Sequence, residues 1–359
     1  MSTKPAKTVA LMSKIRLTVL PVVLFSMTYS SGTAQQKVNP ELAKPVTNPA
    51  QTIQRPVNVI NPGVIVREPA MYVYDEYVDN GAYPMHLMED FTGKNHVITE
   101  HLSGVQGMGA DNKGNVYEVV WVGLSQPPYI KEARKFGNFT GPLKRPTAIA
   151  CDRQGRIYIT DADLGQVIRI DDLSGANLVS FGSNGSGAGQ FKNPFGITID
   201  ASGRIYVADL GNNRIVRIDN MNGDGWKTYD GQQYGNKGCQ VQAVTDIAVD
   251  SKNRIYYVKP DGSKIVRIDD MDGRNMQSFE GIGPGGASGH YLVKPSGIAI
   301  DKNDRIYVTD IDAGYVTRLD DISGAGRTVL WKTADGSKLF KRPTHIALFF
   351  PVKSNEVIK

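Results

Sequence analysis

A repeated unit, 41 to 51 residues long, constrains the fold of this chain more than any other feature. Each copy holds an apolar run that ends at an aspartate, a five-residue turn, a second run of the Arg-Ile-Tyr-Val type, and two further β-rich runs after turns. The anchoring aspartates are Asp111, Asp152, Asp200, Asp250 and Asp301. Self-similarity at this period, without helices between the units, is typical of propeller blades made of four antiparallel strands.

The turn after each anchoring aspartate carries, in its fourth place, a residue type that tolerates a positive φ. These residues are Gly114, Gly155, Gly203, Asn253 and Asp304. A hairpin with a bulge requires such a residue, so we expect the first and second runs of each unit to pair closely. Both runs are almost continuously apolar, which is typical of strands covered on both faces by neighbouring sheets.

The two ends of the repeat region complement each other. Residues 342–348 match the first strand of a unit, and residues 71–75 match a second strand. Residues 84–93 match a third strand with its turn, and residues 95–100 match a fourth. Five complete units and one split unit predict an all-β, six-bladed β-propeller. A C-terminal strand that joins an N-terminal blade closes the ring and leaves no open sheet edge there.

The N-terminal residues have a different character. Basic residues precede the apolar run Leu17–Phe25, and a segment of small residues ends at Ala34. This order is typical of a secretory signal peptide, and the apolar run is too short for a transmembrane helix. The sequence therefore predicts a signal peptide over residues 1–34 and a secreted or periplasmic protein. The remaining segments are a Pro-rich linker or strap over 35–61, the propeller over 62–350 and a tail over 351–359.

The net charge argues against a nucleic-acid partner. Residues 1–34 hold four basic residues and no acidic one, so their removal lowers the formal charge from +5 to +1. The basic bias of the whole chain belongs mostly to this leader. We therefore expect no binding of nucleic acid by the mature protein.

The unit at 192–219 contains Pro-Phe-Gly-Ile-Thr-Ile-Asp, Gly-Arg-Ile-Tyr-Val-Ala-Asp and Asn-Asn-Arg-Ile, and this pattern resembles the NHL-repeat family. The resemblance covers roughly residues 62–350. It implies a six-bladed propeller but not one function, because similar propellers include RNA-binding modules, extracellular sensor domains and a metal-dependent lyase. That lyase holds zinc with histidines just before the Gly of the first strand. The matching places here hold no histidine: Gln106, Thr147, Phe195, Thr245, Ser296 and Thr344.

The Gly place of the first strand suggests a candidate pocket. Around the ring this place holds Gly107, Ala148, Gly196, Asp246, Gly297 and His345. Asp246 and His345 are titratable, and we expect them on roughly opposite sides of one channel mouth. Nearby we expect Thr147, Phe195, Thr245, Ser296 and Thr344. One interpretation is a polar pocket or a loose site for Ca²⁺ or Zn²⁺ in the central channel; the other is that both side chains cap strands or bind water.

Other candidate residues are less well defined. The irregular second unit and a Gly-rich loop suggest a binding surface with Trp121, Tyr129 and His290, although an ordinary longer loop explains the unit equally well. The remaining histidines, His86, His96 and His101, show no metal-binding spacing. No catalytic residue is assigned. The sequence favours an exported binding or scaffold propeller that recognises a protein, peptide or glycan through one face; the alternative is a metal-dependent hydrolase or lyase of the lactonase-like kind.

Overall fold

The computed structural model describes most of the repeat region. The described residues are 69–76, 83–93, 95–101, 104–121, 126–133, 137–232, 241–280, 292–333 and 336–349. All of them belong to one compact unit of the chain. The predicted signal peptide (1–34), linker (35–61) and tail (351–359) lie outside the described residues, so these domain assignments stay predictions.

Twenty-four strands are present in the described residues. In chain order they are β1 (Ala70–Asp75), β2 (Tyr83–Met88), β3 (Val97–His101), β4 (Gly104–Ala110), β5 (Val116–Trp121), β6 (Tyr129–Glu132), β7 (Asn138–Phe139), β8 (Pro146–Cys151), β9 (Ile157–Asp161), β10 (Gln166–Ile170), β11 (Val179–Phe181), β12 (Pro194–Ile199), β13 (Ile205–Asp209), β14 (Arg214–Ile218), β15 (Lys227–Tyr229), β16 (Ile247–Val249), β17 (Ile255–Lys259), β18 (Lys264–Ile268), β19 (Gln277–Phe279), β20 (Pro295–Ile300), β21 (Ile306–Asp310), β22 (Tyr315–Leu319), β23 (Thr328–Leu330) and β24 (Pro343–Phe349). Two single 3-10 turns follow β13 and β17, at Leu210–Asn212 and Pro260–Gly262.

These strands form six four-stranded antiparallel sheets, as the repeats predict. Blade 1 has the order β24-β1-β2-β3, and blades 2 to 6 take the following strands four at a time. The first strand of each blade contacts the first strands of both neighbouring blades, so β24, β4, β8, β12, β16 and β20 form a closed inner ring. Within the described part of the chain, no helix is long and apolar enough to cross a membrane.

The predicted closure of the ring is confirmed. Strand β24 pairs along β1 from Ala70↔Phe349 to Tyr74↔His345. The buried carboxylate of Asp75 then accepts the backbone N–H groups of Lys341 (2.6 Å) and Arg342 (2.7 Å). The C-terminal strand is therefore held both by its ladder and by a side chain of the blade it completes.

The turn chemistry also agrees with the sequence. All five turn residues predicted to tolerate a positive φ have one, from 60° at Asn253 to 85° at Gly114. The aspartate before each turn is buried, and its carboxylate accepts backbone N–H groups of the turn, as Asp200 does from Ser202 and Arg204. The hairpin between the first two strands is thus fixed by one recurring side chain.

The hydrophobic core lies between the blades. The second strand of every blade is almost completely buried, and each of six apolar clusters joins side chains from two adjacent blades. Because a blade covers its apolar faces only with its neighbours, the ring is stable as a whole rather than blade by blade. The inner strands are thereby held rigidly around the channel.

The channel-mouth cavity as a candidate functional site

All six blades contribute to one cavity of about 310 Å³, which we call the channel-mouth cavity. It lies where the inner strands begin. The residues that the sequence predicted for a pocket all line it: Thr147, Phe195, Thr245, Asp246, Ser296, Thr344 and His345. The structure therefore brings these seven side chains to one place. That the cavity binds a ligand stays a prediction.

Part of the cavity wall could not be found from the repeat pattern. Tyr74, Glu76 and Tyr83 come from blade 1, and the Tyr74 and Tyr83 rings stack with centroids 6.1 Å apart. The repeat pattern indicated only residues of the first strands, whereas Tyr74 lies in β1, Glu76 follows β1 and Tyr83 begins β2. Gln106, which the sequence analysis considered only as a place without histidine, also lines the cavity.

A second cavity of about 200 Å³ continues along the same inner strands. Ala148, Asp246 and His345 line both cavities, so they form the boundary, or waist, between them. These three residues occupy the Gly place in alternate blades. The intervening blades keep glycine because the next strand approaches closely: a Cβ on Gly196 would lie 2.8 Å from Asp246 Cα, and one on Gly297 2.7 Å from Thr344 O.

One geometric expectation is wrong. Asp246 belongs to blade 5 and His345 to blade 1, and the order of inner strands places only blade 6 between them. The two side chains are therefore two blades apart and not on opposite sides of the ring. Because β24 belongs to blade 1 and contacts β20 of blade 6 directly, ring closure brings His345 nearer to Asp246 than their separation in the sequence indicates.

Asp246 is partly buried, and within the described residues its carboxylate accepts hydrogen bonds only from the backbone. The N–H of Ile247 donates to Oδ1 and the N–H of Ile298, on the next blade, donates to Oδ2, both at 2.9 Å. Burial raises the pKa of Asp246 to about 7, although these two donors act in the opposite direction. The carboxyl group therefore exchanges its proton close to neutral pH.

His345 is held in its neutral form. Its Nδ1 lies 2.9 Å from Thr344 Oγ1, and its ring contacts Tyr74 with centroids 6.1 Å apart. Burial lowers the pKa of His345 to about 4, against a smaller opposing effect of the Gln106 backbone. At pH 7 the imidazole thus contributes a polar but uncharged group to the waist.

Three hydroxyl groups of the wall join neighbouring blades. Thr147 Oγ1 donates to Pro194 O (2.8 Å), and Thr245 Oγ1 donates to Ser296 O (3.0 Å). Ser296 Oγ donates to Thr344 O (3.0 Å) in the same manner. These side chains fasten the inner strands, and their lone pairs remain available as acceptors toward the cavity.

A contact between two histidines escaped the sequence analysis. His86 Nδ1 lies 2.8 Å from His96 Nε2 and the rings stack, while His86 Nε2 is 3.8 Å from Asp75 Oδ2. Burial, followed by the effect of His96, lowers the pKa of His86 to about 3. The antiparallel pairing of β2 and β3 brings the two residues together, so a search for metal-binding spacing could not reveal them. Among the described residues, no three or more His, Cys, Asp or Glu side chains form a group suited to a metal ion.

The predicted binding loops are separate from this cavity or cannot be placed. Trp121 ends β5 and Tyr129 begins β6; both are partly buried, and neither is among the described residues that line the channel-mouth cavity. His290 lies outside the described residues, as does the segment 122–125 between the two strands. A binding role for these residues stays a prediction.

Comparison with known proteins supports the architecture. The family model described as NHL repeat matches residues 191–218. A protein of unknown function from Bacteroides caccae is 11% identical, with a TM-score of 0.53, and the match covers 78% of this chain and 99% of that one. A catalytically inactive virginiamycin B lyase from Staphylococcus aureus, solved with quinupristin, is 19% identical, with a TM-score of 0.50 and coverage of 68% and 73%. At these identities the likeness shows the fold alone. No curated protein matches the sequence significantly.

Proposed function

We propose that this NHL-repeat β-propeller is an exported binding protein whose channel-mouth cavity takes a small group of a peptide or protein ligand. The observation that carries the proposal is the convergence of seven independently predicted side chains, from five blades, on one cavity. A concave, largely apolar wall with a few polar groups is the usual form of a binding site.

The size of the cavity supports a small group rather than a whole ligand. Its volume of about 310 Å³ is at the lower end of the range for pockets that bind small molecules. A ligand larger than this must lie over the mouth and insert one side group. The rest of such a ligand would contact one face of the propeller. Protein interfaces commonly draw most of their binding energy from a few side chains buried at the centre of the contact.

The binding proposal is tested with a fragment set that contains neutral, anionic and cationic compounds and monosaccharides, observed by ligand NMR. We expect hits with dissociation constants of about a millimolar, which is ordinary for ligands of this size. Phe195→Ala removes part of the cavity wall and should weaken these hits. Trp331→Ala, which removes a partly exposed aromatic side chain that does not line the cavity, should leave them unchanged.

The outcome of this experiment separates the alternatives. Hits lost in Phe195→Ala and kept in Trp331→Ala support the cavity as the binding site. If Phe195→Ala weakens none of the hits, the binding surface lies elsewhere. Trp121 and Tyr129 are then the next residues to substitute. If only monosaccharides bind, the proposed ligand is a glycan and not a peptide.

A metal-dependent hydrolase or lyase is the competing function. The hypothesis places a metal ion at Asp246 and His345, and both side chains already have hydrogen-bonding partners in the protein. Nothing in the geometry favours this function over binding. It predicts a divalent ion retained after dialysis against a weak chelator and turnover of lactones or esters that Asp246→Ala abolishes.

Export is a separate part of the proposal. It is supported by the order of basic, apolar and small residues in 1–34. Expression with a C-terminal tag in a bacterial host, followed by N-terminal sequencing of the envelope fraction, should return a chain that begins near Gln35. A chain that keeps its leader and stays in the cytoplasm would contradict export while leaving the binding proposal intact.

A further inference from the structure

We propose that the channel-mouth cavity selects a cationic organic group, an ammonium or a guanidinium on an alkyl stem. This inference rests on the proposed function, because it names the chemistry of the group that the cavity takes. Three features of the wall carry it: two carboxylates, three aromatic rings, and the absence of lysine and arginine among the described lining residues.

The carboxylates lie at two depths of the cavity. Glu76 is exposed, whereas Asp246 lies at the waist. A cation that enters the cavity therefore passes from an exposed to a partly buried carboxylate. Because the partly buried carboxylate is surrounded by a medium of low dielectric constant, it attracts the cation more strongly than a carboxylate at a fully hydrated surface does.

The hydrogen bonding of Asp246 also suits a cationic ligand. Its carboxylate has two backbone donors and no basic partner within hydrogen-bonding distance among the described residues. A bound ammonium favours the ionised form of the carboxyl group and replaces the charge partner that the protein itself does not supply. His345, uncharged at neutral pH, does not repel the cation.

The aromatic rings provide the second source of attraction. Phe195 and Tyr83 are partly buried side chains of the wall, and the Tyr74 ring stacks on Tyr83. Cations bind over the faces of aromatic rings, more strongly when the site excludes water. A neutral ligand of the same shape gains only the apolar part of this interaction.

The arginine that contacts Glu76 does not fill the cavity. Arg342 lies 3.5 Å from the Glu76 carboxylate and 3.9 Å from that of Asp312, and it is not part of the cavity wall. About half of each side chain in the Arg342–Glu76 pair is exposed. An exposed pair of this kind contributes little, so a ligand cation can replace it.

The experiment compares four small probes by calorimetry and NMR at low ionic strength. The cationic probes are n-butylammonium and n-propylguanidinium; n-butanol is the neutral control of equal length, and butyrate is the anionic one. We expect the two cations to bind at least about tenfold more tightly than n-butanol, and butyrate not to bind. Raising the salt concentration should weaken only the cations.

Two variants tie the selectivity to the cavity. Phe195→Leu keeps an apolar side chain but removes the ring, and it should weaken n-butylammonium about threefold or more while leaving n-butanol unchanged. Glu76→Gln changes an exposed side chain, so the protein should fold normally, and it should also weaken only the cations. Trp331→Ala remains the matched control.

The possible results separate the two levels of the proposal. Equal affinity for n-butanol and n-butylammonium, with sensitivity to Phe195→Ala, overturns the cation inference but leaves the binding function. Failure of every probe and of the fragment set overturns both. A lysine tripeptide with blocked ends that binds more tightly than n-butylammonium identifies a peptide side chain as the source of the cation; a polyamine that binds more tightly than this tripeptide identifies a free amine. Either result supports the inference.

Discussion

Asp250 and Asp246 lie four residues apart on the same inner strand segment, yet their surroundings differ in almost every respect. The Asp250 carboxylate accepts from Arg254 Nε at 2.5 Å, from the Tyr256 hydroxyl at 3.1 Å and from two backbone N–H groups. Asp246 accepts from two backbone N–H groups and, in the part of the chain that the structure describes, from no side chain. One aspartate is fully satisfied by the protein; the other faces a cavity.

The repeat explains this difference. An aspartate at the Asp250 place occurs in all five complete units, so its partners recur with it and its role is to hold the hairpin. Asp246 occurs once, at a place where blades 2, 4 and 6 have glycine. In a repeat protein, a recurring polar side chain therefore indicates the scaffold, and one that breaks the repeat indicates a site.

The largest effect should come from the recurring aspartate. Asp250→Ala leaves the Nε of the partly buried Arg254, a buried tyrosine hydroxyl and two N–H groups without their acceptor. It should lower the free energy of unfolding by about 3 kcal/mol. Urea unfolding measures this loss. Asp246→Ala should cost clearly less, since water in the cavity can reach the two N–H groups it frees. Equal losses of unfolding free energy in the two variants would contradict the proposed difference between these two aspartates.

A glycine of the inner ring should come next. In Gly196→Ala the new Cβ would meet backbone atoms, Asp246 Cα at 2.8 Å and Ile247 N at 3.1 Å, so two blades must move apart. We expect a loss of about 2 kcal/mol in thermal or urea unfolding. Gly203→Ala is the control: its φ of +83° alone should cost about 1 kcal/mol, because nothing lies within 4 Å of its Cβ.

The histidine pair should make the propeller sensitive to acid. The pKa of His86 falls from 6.5 to about 3 on folding, so the unfolded chain binds the additional proton. This contribution to stability is complete above pH 6.5 and is lost as the pH falls toward 3. His86→Gln should remove at least about 1.4 kcal/mol of the pH dependence in that window. An unchanged pH profile would mean that His86 is already accessible to protons.

Asp246 should have the opposite and smallest effect. Its pKa rises from 3.8 to about 7 on folding, so the folded protein binds the additional proton and loses stability as the pH rises through this range. Because the side chain borders a solvent-accessible cavity, we expect a change of about 1 kcal/mol between pH 5 and 8. Asp246→Asn should abolish this dependence, whereas Asp250→Asn should keep it.

Much of the architecture could be predicted because the same residue pattern occurs in every unit of a repeat fold. Five copies of one pattern identify the hairpin aspartates, the turn residues with positive φ and the missing strand that Pro343–Phe349 supplies. The seven pocket residues could also be found, since they occupy two neighbouring places of the first strand: Asp246 and His345 stand at the Gly place, and the other five stand just before it. Repetition therefore locates whatever is shared, and also the residues that depart from it.

The remainder depended on contacts that a repeat does not encode. Tyr74 and Tyr83 reach the cavity only because β1 pairs with β24, and β2 with β1, in the split blade. His86 and His96 meet through the particular register of β2 and β3. The relative positions of Asp246 and His345 required the order of blades around the closed ring. Each of these is a property of tertiary structure and not of one unit.

The most direct test of the central claim is the titration of Asp246 itself, followed by carboxyl ¹³C NMR in the free protein and with saturating n-butylammonium. We predict a midpoint near pH 7 in the free protein, a clear decrease when the cation binds, and no change with n-butanol. A midpoint near pH 4 that neither probe affects would contradict the account, because Asp246 would then be an ordinary hydrated carboxylate and the channel mouth no more than part of the scaffold.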